Sequence, residues 1–369
     1  MKTFIKDNYQ KIRDFYKKYE RFLMPATLLG GFLVDYVTFT NIQIGITFAL
    51  LLVYWLVVGL LIIFIHLYDD QKLPMLWGLT YVRLFSPLAV QFVFGALLGS
   101  SLIFYWFFGA FSVSWPLMVI IVLLMIFNDT FRQYFTKPLV QISVYFFCTI
   151  SLFSLALPFL FNSLSAWLFV AATIASVVLF LVDIHFASFW VSYIRQQKRQ
   201  LFISIIIITG VMNVLYFTNI IPPIPLALRE AGLYHNIQLM GGKYIMQGES
   251  EDFFETLQTA IFGQTLHVAS ADRVYLYTAI FAPANLQTTI VHHWQYYDEV
   301  QKIWVNKGKL PFTINGGRQE GYKGYSYNSN LTPGKWRVSV QTERGQVLAK
   351  VQFTVQRPMG EVKLQKTVR

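Results

Sequence analysis

The stretch QIGITFALLLVYWLVVGLLIIFIHL, residues 43–67, contains no Asp, Glu, Lys or Arg. A run of about 20 apolar residues is long enough to cross the hydrocarbon core of a bilayer as one helix. Six similar runs lie at residues 23–39, 86–108, 115–128, 138–161, 164–187 and 201–221. The first part of the chain is therefore predicted to be an α-helical transmembrane bundle of about seven spans.

The overall composition agrees with this interpretation. Of 369 residues, 55% are hydrophobic and 13% are charged, whereas an ordinary soluble domain has roughly 25% charged residues. Residues 1–217 contain only eight acidic residues. Residues 1–22 precede the first run and no small-residue cleavage site follows it, so that run is expected to be a retained helix and not a signal peptide.

The positive charges predict the orientation of the bundle. Connections near residues 40–42, 109–114 and 162–165 contain no Lys or Arg. All fourteen cations of the membrane part lie before the first run or in the alternate connections: Lys2, Lys6, Lys11, Arg13, Lys17, Lys18, Arg21, Lys72, Arg83, Arg132, Lys137, Arg195, Lys198 and Arg199. The positive-inside rule then predicts a multi-pass protein of the bacterial inner membrane with a cytoplasmic N-terminus. The net charge of +11 is explained by topology, so the expected partner is the lipid bilayer and not nucleic acid.

The sequence after the last run changes from helical to strand periodicity. Val347, Ala349, Val351, Phe353 and Val355 alternate with Leu348, Lys350, Gln352 and Thr354, and KWRVSVQTE, residues 335–343, alternates in the same way. Period-two alternation between turn residues is typical of β-strands, and these two runs predict a hairpin. About six such strands predict a small all-β sandwich of the immunoglobulin-like type.

The predicted organisation has five parts. Residues 1–22 form a basic amphipathic cytoplasmic segment, and residues 23–221 form the bundle. Residues 222–263 form a proline-rich linker and a short amphipathic helix, in which Ser250 is the cap and Gly263 the stop. The sandwich occupies residues 264–357 on the periplasmic side, and residues 358–369 form a basic tail. The single cysteine, Cys148, lies in the fifth span, so the exported domain has no disulfide.

Several stretches carry a resemblance to a known family. In the exported part these are PPIPLALREAGLYHN, AIFAPANL, VHHWQYYD, GGRQEGYKGYSY and PGKWRVSVQTERGQVLAKVQFTV, and in the membrane part GGFLVDYVTFTNI and QFVFGALLGSSLIFY. In this order they resemble the bacterial multi-pass membrane proteins that end in domain of unknown function 2914. Family members often carry Arg and Asp at the end of the first span, where this chain has Asn41 and Gln43. The resemblance implies an architecture and no reaction.

The loop GGRQEGYKGYSY, residues 316–327, is the main candidate ligand site. Its glycines allow positive φ angles, and its cations and tyrosines suit sugars or anionic polymers. A structural connection between strands is the preferred interpretation, because glycine-rich turns are ordinary in sandwiches. The hypothetical ligand-binding set is Arg318, Glu320, Tyr322, Lys323 and Tyr325, together with His293 and Trp294 from the nearby HHWQYYD motif.

Catalytic and metal signatures are weak in this sequence. His292 and His293 are adjacent, so in a regular strand they point to opposite faces and cannot share one ion. We expect one to be packed or hydrogen-bonded and the other exposed; His235 and His267 have no fixed ligand spacing. The sequence contains no Gly-x-Ser-x-Gly elbow, phosphate-binding loop or dinucleotide fingerprint. No metal or cofactor is expected, and binding is favoured over catalysis.

Polar residues inside the predicted spans suggest an alternative. Asp35 and Gln91 are the hypothetical intramembrane site, although Asp35 is as well explained by a structural hydrogen bond to a neighbouring helix. Small residues at Gly95 and Gly99 indicate close helix packing within one bundle. The first hypothesis is an envelope protein whose sandwich binds a ligand, a glycan or a membrane protein partner. A transporter or lipid-handling protein is the second, and an enzyme that modifies envelope glycans or lipids is the third.

Overall fold

The structure is a computed structural model that describes residues 2–39, 44–74, 76–108, 111–130, 138–249, 264–269, 272–284, 286–318 and 320–369. The chain divides into a helical unit, which ends at Thr218, and a second unit, which consists mainly of the β-rich segment Asn219–Arg369. An apolar helical part followed by a β-rich part is the order that the sequence predicts, and the structure confirms it at this level.

The described helices are α1 Lys2–Phe39, α2 Ile44–Asp69, α3 Trp77–Phe108, α4 Phe111–Thr130, α5 Pro138–Leu160, α6 Ala166–Trp190, α7 Ser192–Gln196 and α8 Lys198–Phe217. Each predicted apolar run overlaps one of the long helices. In the described residues, five helices are long and apolar enough to cross a membrane: Ile46–Asp69, Trp77–Trp106, Pro138–Leu160, Ala166–Trp190 and Lys198–Phe217. The basic segment and the first run form one helix, α1, and the number of seven spans stays a prediction.

Glycines bring α1 and α3 close together. A Cβ at Gly95 would overlap the backbone carbonyl of Leu28, and a Cβ at Gly99 would lie 2.6 Å from a ring carbon of Phe32. On the opposite helix, a Cβ at Gly31 would overlap the carbonyl of Phe92. Small residues on both helices therefore allow backbone-to-backbone approach, and the interpretation of this stripe as a packing surface within the bundle is confirmed.

The β-rich unit contains the described strands β1 Ala227–Tyr234, β2 Asn236–Met240, β3 Lys243–Glu249, β4 Gln264–His267, β5 Arg273–Phe281, β6 Gln287–Asp298, β7 Ile303–Asn315, β8 Tyr322–Ser329, β9 Gly334–Thr342, β10 Val347–Gln356 and β11 Leu364–Val368. They form a three-stranded sheet in the order β1-β5-β8, a five-stranded sheet in the order β4-β10-β9-β6-β7 and a three-stranded sheet in the order β11-β3-β2. The predicted β9–β10 hairpin is confirmed by its antiparallel pairing.

The first two sheets enclose one hydrophobic core. Its members come from both sheets and include Leu276, Trp294, Trp336 and Phe353. The strands alternate, so that even-numbered residues of β6 such as Ile290 face the core and odd-numbered residues face away from it. A smaller cluster under the third sheet contains Ile237, Met246 and Tyr277.

Two predicted boundaries need correction. Most of the predicted linker is strand, because the prolines are confined to residues 222–225 and the chain after them pairs with β5, from Ala227 opposite Phe281 to Tyr234 opposite Tyr275. The predicted basic tail contains β11, which pairs with β3. The strands β1 and β11 are polar on one side and do not alternate regularly between apolar and polar residues. Their own residues therefore do not predict them, and they form by pairing with strands that are distant in the sequence. The predicted helix at residues 250–263 lies outside the described residues, as do Asn41 and Gln43.

Candidate functional site

The outward face of the five-stranded sheet collects aromatic and cationic side chains from β6, β7, β9 and β10. The pairing register puts Lys350 beside Ser339, Ser339 beside His293, and His293 beside Lys309. The next row contains Gln352, Arg337 and Gln295. We call these residues, with Lys335, Tyr297 and Trp304, the cationic face.

Aromatic rings form one end of the cationic face. The rings of Tyr297 and Trp304 lie 5.1 Å apart between centroids. The Arg337 guanidinium carbon lies 4.1 Å from the centroid of Trp304, and the Lys335 ammonium lies 5.9 Å from that of Tyr297. Cations held over aromatic faces in this way gain roughly 0.5–1 kcal/mol at exposed sites. The stacking fixes the planes of both groups at the sheet surface.

Hydrogen bonds within the face orient its polar groups. Arg337 Nε donates to Gln295 Oε1 at 2.7 Å. His293 Nε2 lies 3.1 Å from Asn306 Oδ1. Arg337 donates to Gln295 through Nε and stacks its plane on Trp304. Its terminal nitrogens can therefore donate hydrogen bonds to a ligand that binds on this face.

The charged side chains of the cationic face are predominantly positive. The face contains four cations, Lys309, Lys335, Arg337 and Lys350, and its four strands contain one more, Lys307, whose ammonium lies 5.7 Å from the Tyr296 ring centroid. Their one carboxylate, Asp298, accepts from the amides of Val300 and Gln301 in the following turn. In the described part of the chain, no ion pair joins any of these cations to a carboxylate.

Burial and, after it, neighbouring positive charges lower pKa values on this face. Burial and the neighbouring Arg337 charge lower the pKa of Lys350. Burial, and then the Lys309 charge, lower the pKa of His293, although its hydrogen bond to Asn306 opposes the shift. Neighbouring positive charges repel each other, and this repulsion contributes to the lowered pKa values. An anion bound on this face would therefore reduce the repulsion.

The predicted ligand set does not come together at one place. Tyr322 packs against the core, while Lys323 and Tyr325 follow the alternation to the outer face of the β1-β5-β8 sheet. His293 lies on the cationic face. Trp294, which the ligand-binding hypothesis included, cannot contact a surface ligand, because its side chain is 0% exposed and its Nε1 donates to Ser326 Oγ at 3.0 Å inside the core.

The glycine loop itself is a compact strand connection. Gly317 and Gly321 have positive φ angles of 96° and 89°, whereas a Cβ at Gly316 would overlap the carbonyl of Pro283. The Arg318 guanidinium carbon lies 5.0 Å from the Tyr322 ring centroid. Lys323 Nζ lies 2.9 Å from the highly exposed carboxylate of Glu320.

The paired histidines separate as alternation requires. His292 is fully buried, with Nε2 3.1 Å from Thr278 Oγ1 and Nδ1 2.8 Å from Ser326 Oγ. Burial lowers the pKa of His292 to about 4. His292 is therefore a neutral core residue, and His293 alone reaches the cationic face.

A second histidine cluster lies where β3 meets β4. Glu249 Oε1 is 2.9 Å from His235 Nε2, and Glu249 Oε2 is 3.0 Å from His267 Nδ1. The backbone N–H of His267 also donates to Glu249 Oε1 at 2.6 Å. Each carboxylate oxygen is thus engaged by the protein, and among the described residues no cluster has a geometry for holding a metal ion.

In the helical unit, Asp35 and Gln91 are buried but separate. Asp35 is 0% exposed and accepts a hydrogen bond from Ser100 on α3. Gln91 is nine residues earlier on α3, about 13 Å along the helix axis. The two side chains therefore lie apart, and the hydrogen bond to a neighbouring helix is the alternative that the structure favours for Asp35.

The cationic face was not predicted from the sequence, although the alternation of its strands indicates part of it. The alternation that predicted β9 puts Trp336 inside and therefore Lys335 and Arg337 outside. Trp304 lies in the short run KIWVN, residues 302–306. What the sequence lacks is the register that sets β6, β7, β9 and β10 beside each other.

Comparison with known proteins identifies a domain at the same strands. The family described as "Protein of unknown function (DUF2914)" matches residues 287–355, from the first residue of β6 to Val355 in β10. No curated protein matches the chain. Among solved structures, the alkylpurine DNA glycosylase AlkC of Pseudomonas fluorescens, bound to DNA containing an abasic site analog, is similar over 79% of this chain and 90% of that chain at 10% identity. Its TM-score is 0.20, which is too low to bear on fold or function.

Proposed function

We propose that this chain is a multi-pass bacterial inner-membrane protein whose periplasmic β-sandwich binds an acidic glycan of the envelope through the cationic face. The helical unit anchors the protein, and the sandwich acts as a binding module without catalysis. The observation that carries the proposal is the row of Lys350, His293 and Lys309 beside Arg337, which has no carboxylate partner among the described residues.

The membrane location is supported by length, composition and charge. Five described helices are long and apolar enough to cross a bilayer. Lys and Arg occur in every second connection and are absent from the alternate ones. This asymmetry favours a cytoplasmic N-terminus and a periplasmic sandwich after seven crossings.

The immunoglobulin-like class is supported by strand order and by two tryptophans. The order β1-β5-β8 against β10-β9-β6-β7 corresponds to strands A-B-E against G-F-C-C′ of such sandwiches. Trp294 is buried on β6, the strand that carries the core tryptophan in this class. Trp336 Nε1 donates to Thr332 O at 2.8 Å at the start of β9, in the manner of a tyrosine corner.

Acidic glycans match the face in both charge and shape. Carboxylate or phosphate groups pair with the fork of Arg337 and with Lys350 and Lys309. Sugar rings stack on Trp304 and Tyr297, which present apolar faces beside these cations. A neutral glycan would use only the rings and would leave the mutual repulsion of the cations in place.

The test uses the full-length protein in nanodiscs of zwitterionic lipid, titrated with polygalacturonate and with its methyl ester. We expect the acid to bind and the ester to bind at least tenfold more weakly. Arg337→Gln is expected to weaken binding of the acid about tenfold, since a charge-assisted hydrogen bond contributes roughly 1.5–3 kcal/mol.

The matched control is Arg273→Gln. The Arg273 guanidinium carbon lies 4.9 Å from the Tyr327 ring centroid on the other sheet, so this variant also loses one stacked arginine. Its affinity is expected to stay within about twofold of wild type. Equal losses in the two variants would mean that only net charge matters and would reject the cationic face as a site.

A further inference from the structure

His293 lies in the middle of the cationic face, where a hydrogen bond to Asn306 orients its ring. Its Nε2 atom is 3.1 Å from Asn306 Oδ1, and the backbone N–H of Gly308 donates to the same oxygen at 3.1 Å. A backbone N–H can only donate, so the Asn306 atom that faces it must be the amide oxygen and not the amide nitrogen. The orientation of the Asn306 side chain is therefore set by the backbone of β7.

This oxygen decides which nitrogen of His293 carries the hydrogen. An amide oxygen only accepts, so Nε2 must donate to it, and the neutral ring has its hydrogen on Nε2. Nδ1 is then the nitrogen that can bind a further proton. In the part of the chain that the structure describes, Nδ1 makes no hydrogen bond, and the residue is partly exposed. The ring can therefore gain a second proton without losing its bond to Asn306.

The charges near His293 oppose that second proton when the face is empty. In the described strands, the charged groups beside His293 on the cationic face are Lys309 on β7, Arg337 on β9 and Lys350 on β10. On β6 itself, the Asp298 carboxylate is engaged by amides of the following turn. Burial, and then the Lys309 charge, lower the pKa of His293 below 6.5. The ring is therefore neutral at neutral pH in the free protein.

A bound anion reverses this balance. It adds the negative charge that the face lacks, so it favours the protonated ring of His293 over the neutral one. Once protonated, Nδ1–H can donate a charge-assisted hydrogen bond to a carboxylate or phosphate oxygen. Anion binding and proton binding at His293 therefore favour each other, and by linkage each raises the affinity for the other by the same factor.

We propose that His293 is a proton-linked ligand contact of the cationic face: an acidic group of the glycan binds beside Nδ1, and His293 takes up a proton when it does. This inference rests on the glycan binding proposed above and adds its regulation. The glycan is held less tightly near neutral pH and more tightly in mildly acidic surroundings. Arg337, in contrast, carries its charge over the whole range.

The direction of the effect follows from linkage. In the free protein the pKa of His293 lies below 6.5, and the anion raises it in the complex. The affinity is therefore constant at alkaline pH, rises as the pH falls through the pKa of the complex, and levels off below the pKa of the free protein. A difference of about one pKa unit between the two states corresponds to an affinity change of about tenfold.

The test titrates the full-length protein, in nanodiscs of zwitterionic lipid, with polygalacturonate at about pH 7.5 and about pH 5.5, on either side of the ordinary titration range of histidine. We expect wild type to bind about tenfold more tightly at the lower pH. Isothermal titration calorimetry at an intermediate pH, in two buffers of different ionisation enthalpy, is expected to show net proton uptake on binding. Near-UV circular dichroism at each pH checks that the β-rich unit stays folded.

Two substitutions fix the charge at this position. His293→Gln cannot take up a proton and is expected to bind weakly with little pH dependence. His293→Lys is charged at both pH values and is expected to bind tightly, again with little pH dependence. His267→Gln is the matched control, because it removes a histidine whose side chain is 40% exposed and whose ring contacts Glu249. This control is expected to keep the wild-type ratio of affinities.

Equal affinity of wild type at the two pH values, or equal pH dependence in wild type and His293→Gln, would overturn the inference while leaving glycan binding in place. Absence of binding at both pH values would instead reject the proposed function, so the two failures are distinguishable.

Discussion

The Nδ1 atom of His292 lies 2.8 Å from the hydroxyl of Ser326, so one hydrogen bond in the middle of the core joins β6 of the five-stranded sheet to β8 of the three-stranded sheet. Thr278 on β5 engages the other ring nitrogen at 3.1 Å. Both nitrogens of a fully buried imidazole are thus satisfied by hydrogen-bond partners inside the core.

This arrangement predicts that the β-rich unit loses stability in mild acid. The pKa of His292 is about 4 in the folded protein and 6.5 in its ordinary state, because burial disfavours the charged ring. Between pH 6.5 and 4, His292 binds a proton in the unfolded chain but stays neutral in the folded protein. The free energy of unfolding therefore falls over this range by roughly 3 kcal/mol. Urea midpoints from near-UV circular dichroism of the full-length protein in detergent measure this loss.

His292→Gln is expected to be less stable at pH 7 but to show a much flatter profile between pH 6.5 and 4. His293→Gln is the control, and it is expected to keep the wild-type slope because the more exposed ring of His293 contributes little. A wild-type midpoint that does not change over this range would contradict the assignment of His292 as the main proton-sensitive core residue.

Glu249 predicts a second, more acidic transition. Burial raises its pKa, but hydrogen bonds from His235 and His267 together lower it below the ordinary value. The stabilisation is therefore present above about pH 4.5 and is lost as the pH falls through the lowered pKa. Glu249→Gln is expected to destabilise the contact of β3 with β4 by about 1–3 kcal/mol at pH 7 and by much less below pH 4.

Hydrogen exchange of the β4 amides is the appropriate measurement for Glu249, because His267 N–H donates directly to this carboxylate. Glu361→Gln removes one exposed acid near the C-terminal strand and serves as the control. Equal exchange rates in wild type and Glu249→Gln at pH 7 would show that the cluster does not hold β4.

The α1–α3 contact predicts opposite effects for two glycine substitutions. Gly95→Ala is expected to lower the melting temperature in detergent, since overpacking against the Leu28 carbonyl costs about 1–3 kcal/mol. At Gly210, in the interior of α8, a Cβ meets no atom within 4 Å. Gly210→Ala is therefore expected to stabilise the protein by up to about 1 kcal/mol, because alanine has a higher helix propensity than glycine and its Cβ makes no clash. Destabilisation of similar size in both variants would argue against a specific contact at Gly95.

The proposed topology can be tested with single cysteines. Cys148 is 3% exposed and should give little background labelling. In intact spheroplasts a membrane-impermeant maleimide is expected to label Met359→Cys, whose parent side chain is fully exposed, and to label Lys72→Cys only after lysis. The reverse pattern would place the β-rich unit in the cytoplasm and would remove the periplasmic glycan as its ligand.

The sequence was most informative where one short-range pattern decides the structure. Long apolar runs locate the helices, because a chain segment such as residues 43–67 has no other stable state in a bilayer. Alternation locates β9 and β10, because Trp336, Val338 and Val340 must face one side. The glycines of α3 predict close packing because they have no Cβ and let a neighbouring helix approach.

The sequence was least informative where the structure depends on distant partners. The strand β1 pairs with β5, and β11 pairs with β3 across most of the β-rich unit, so neither is evident from its own residues. For the same reason Trp294 was included in the hypothetical ligand-binding set, although its position on β6 makes it a core residue. The cationic face needs the register of four strands, which no single motif encodes.

The strand β7 is the exposed edge of the five-stranded sheet, next to β6. It carries Lys307 and Lys309, an irregularity in the ladder opposite Trp294 and Gln295, and Pro311, which has no backbone N–H to donate. Charge, a bulge and proline are the devices by which natural edge strands avoid recruiting strands from other molecules. Two β-rich units that meet side by side are therefore not expected to polymerise through this edge.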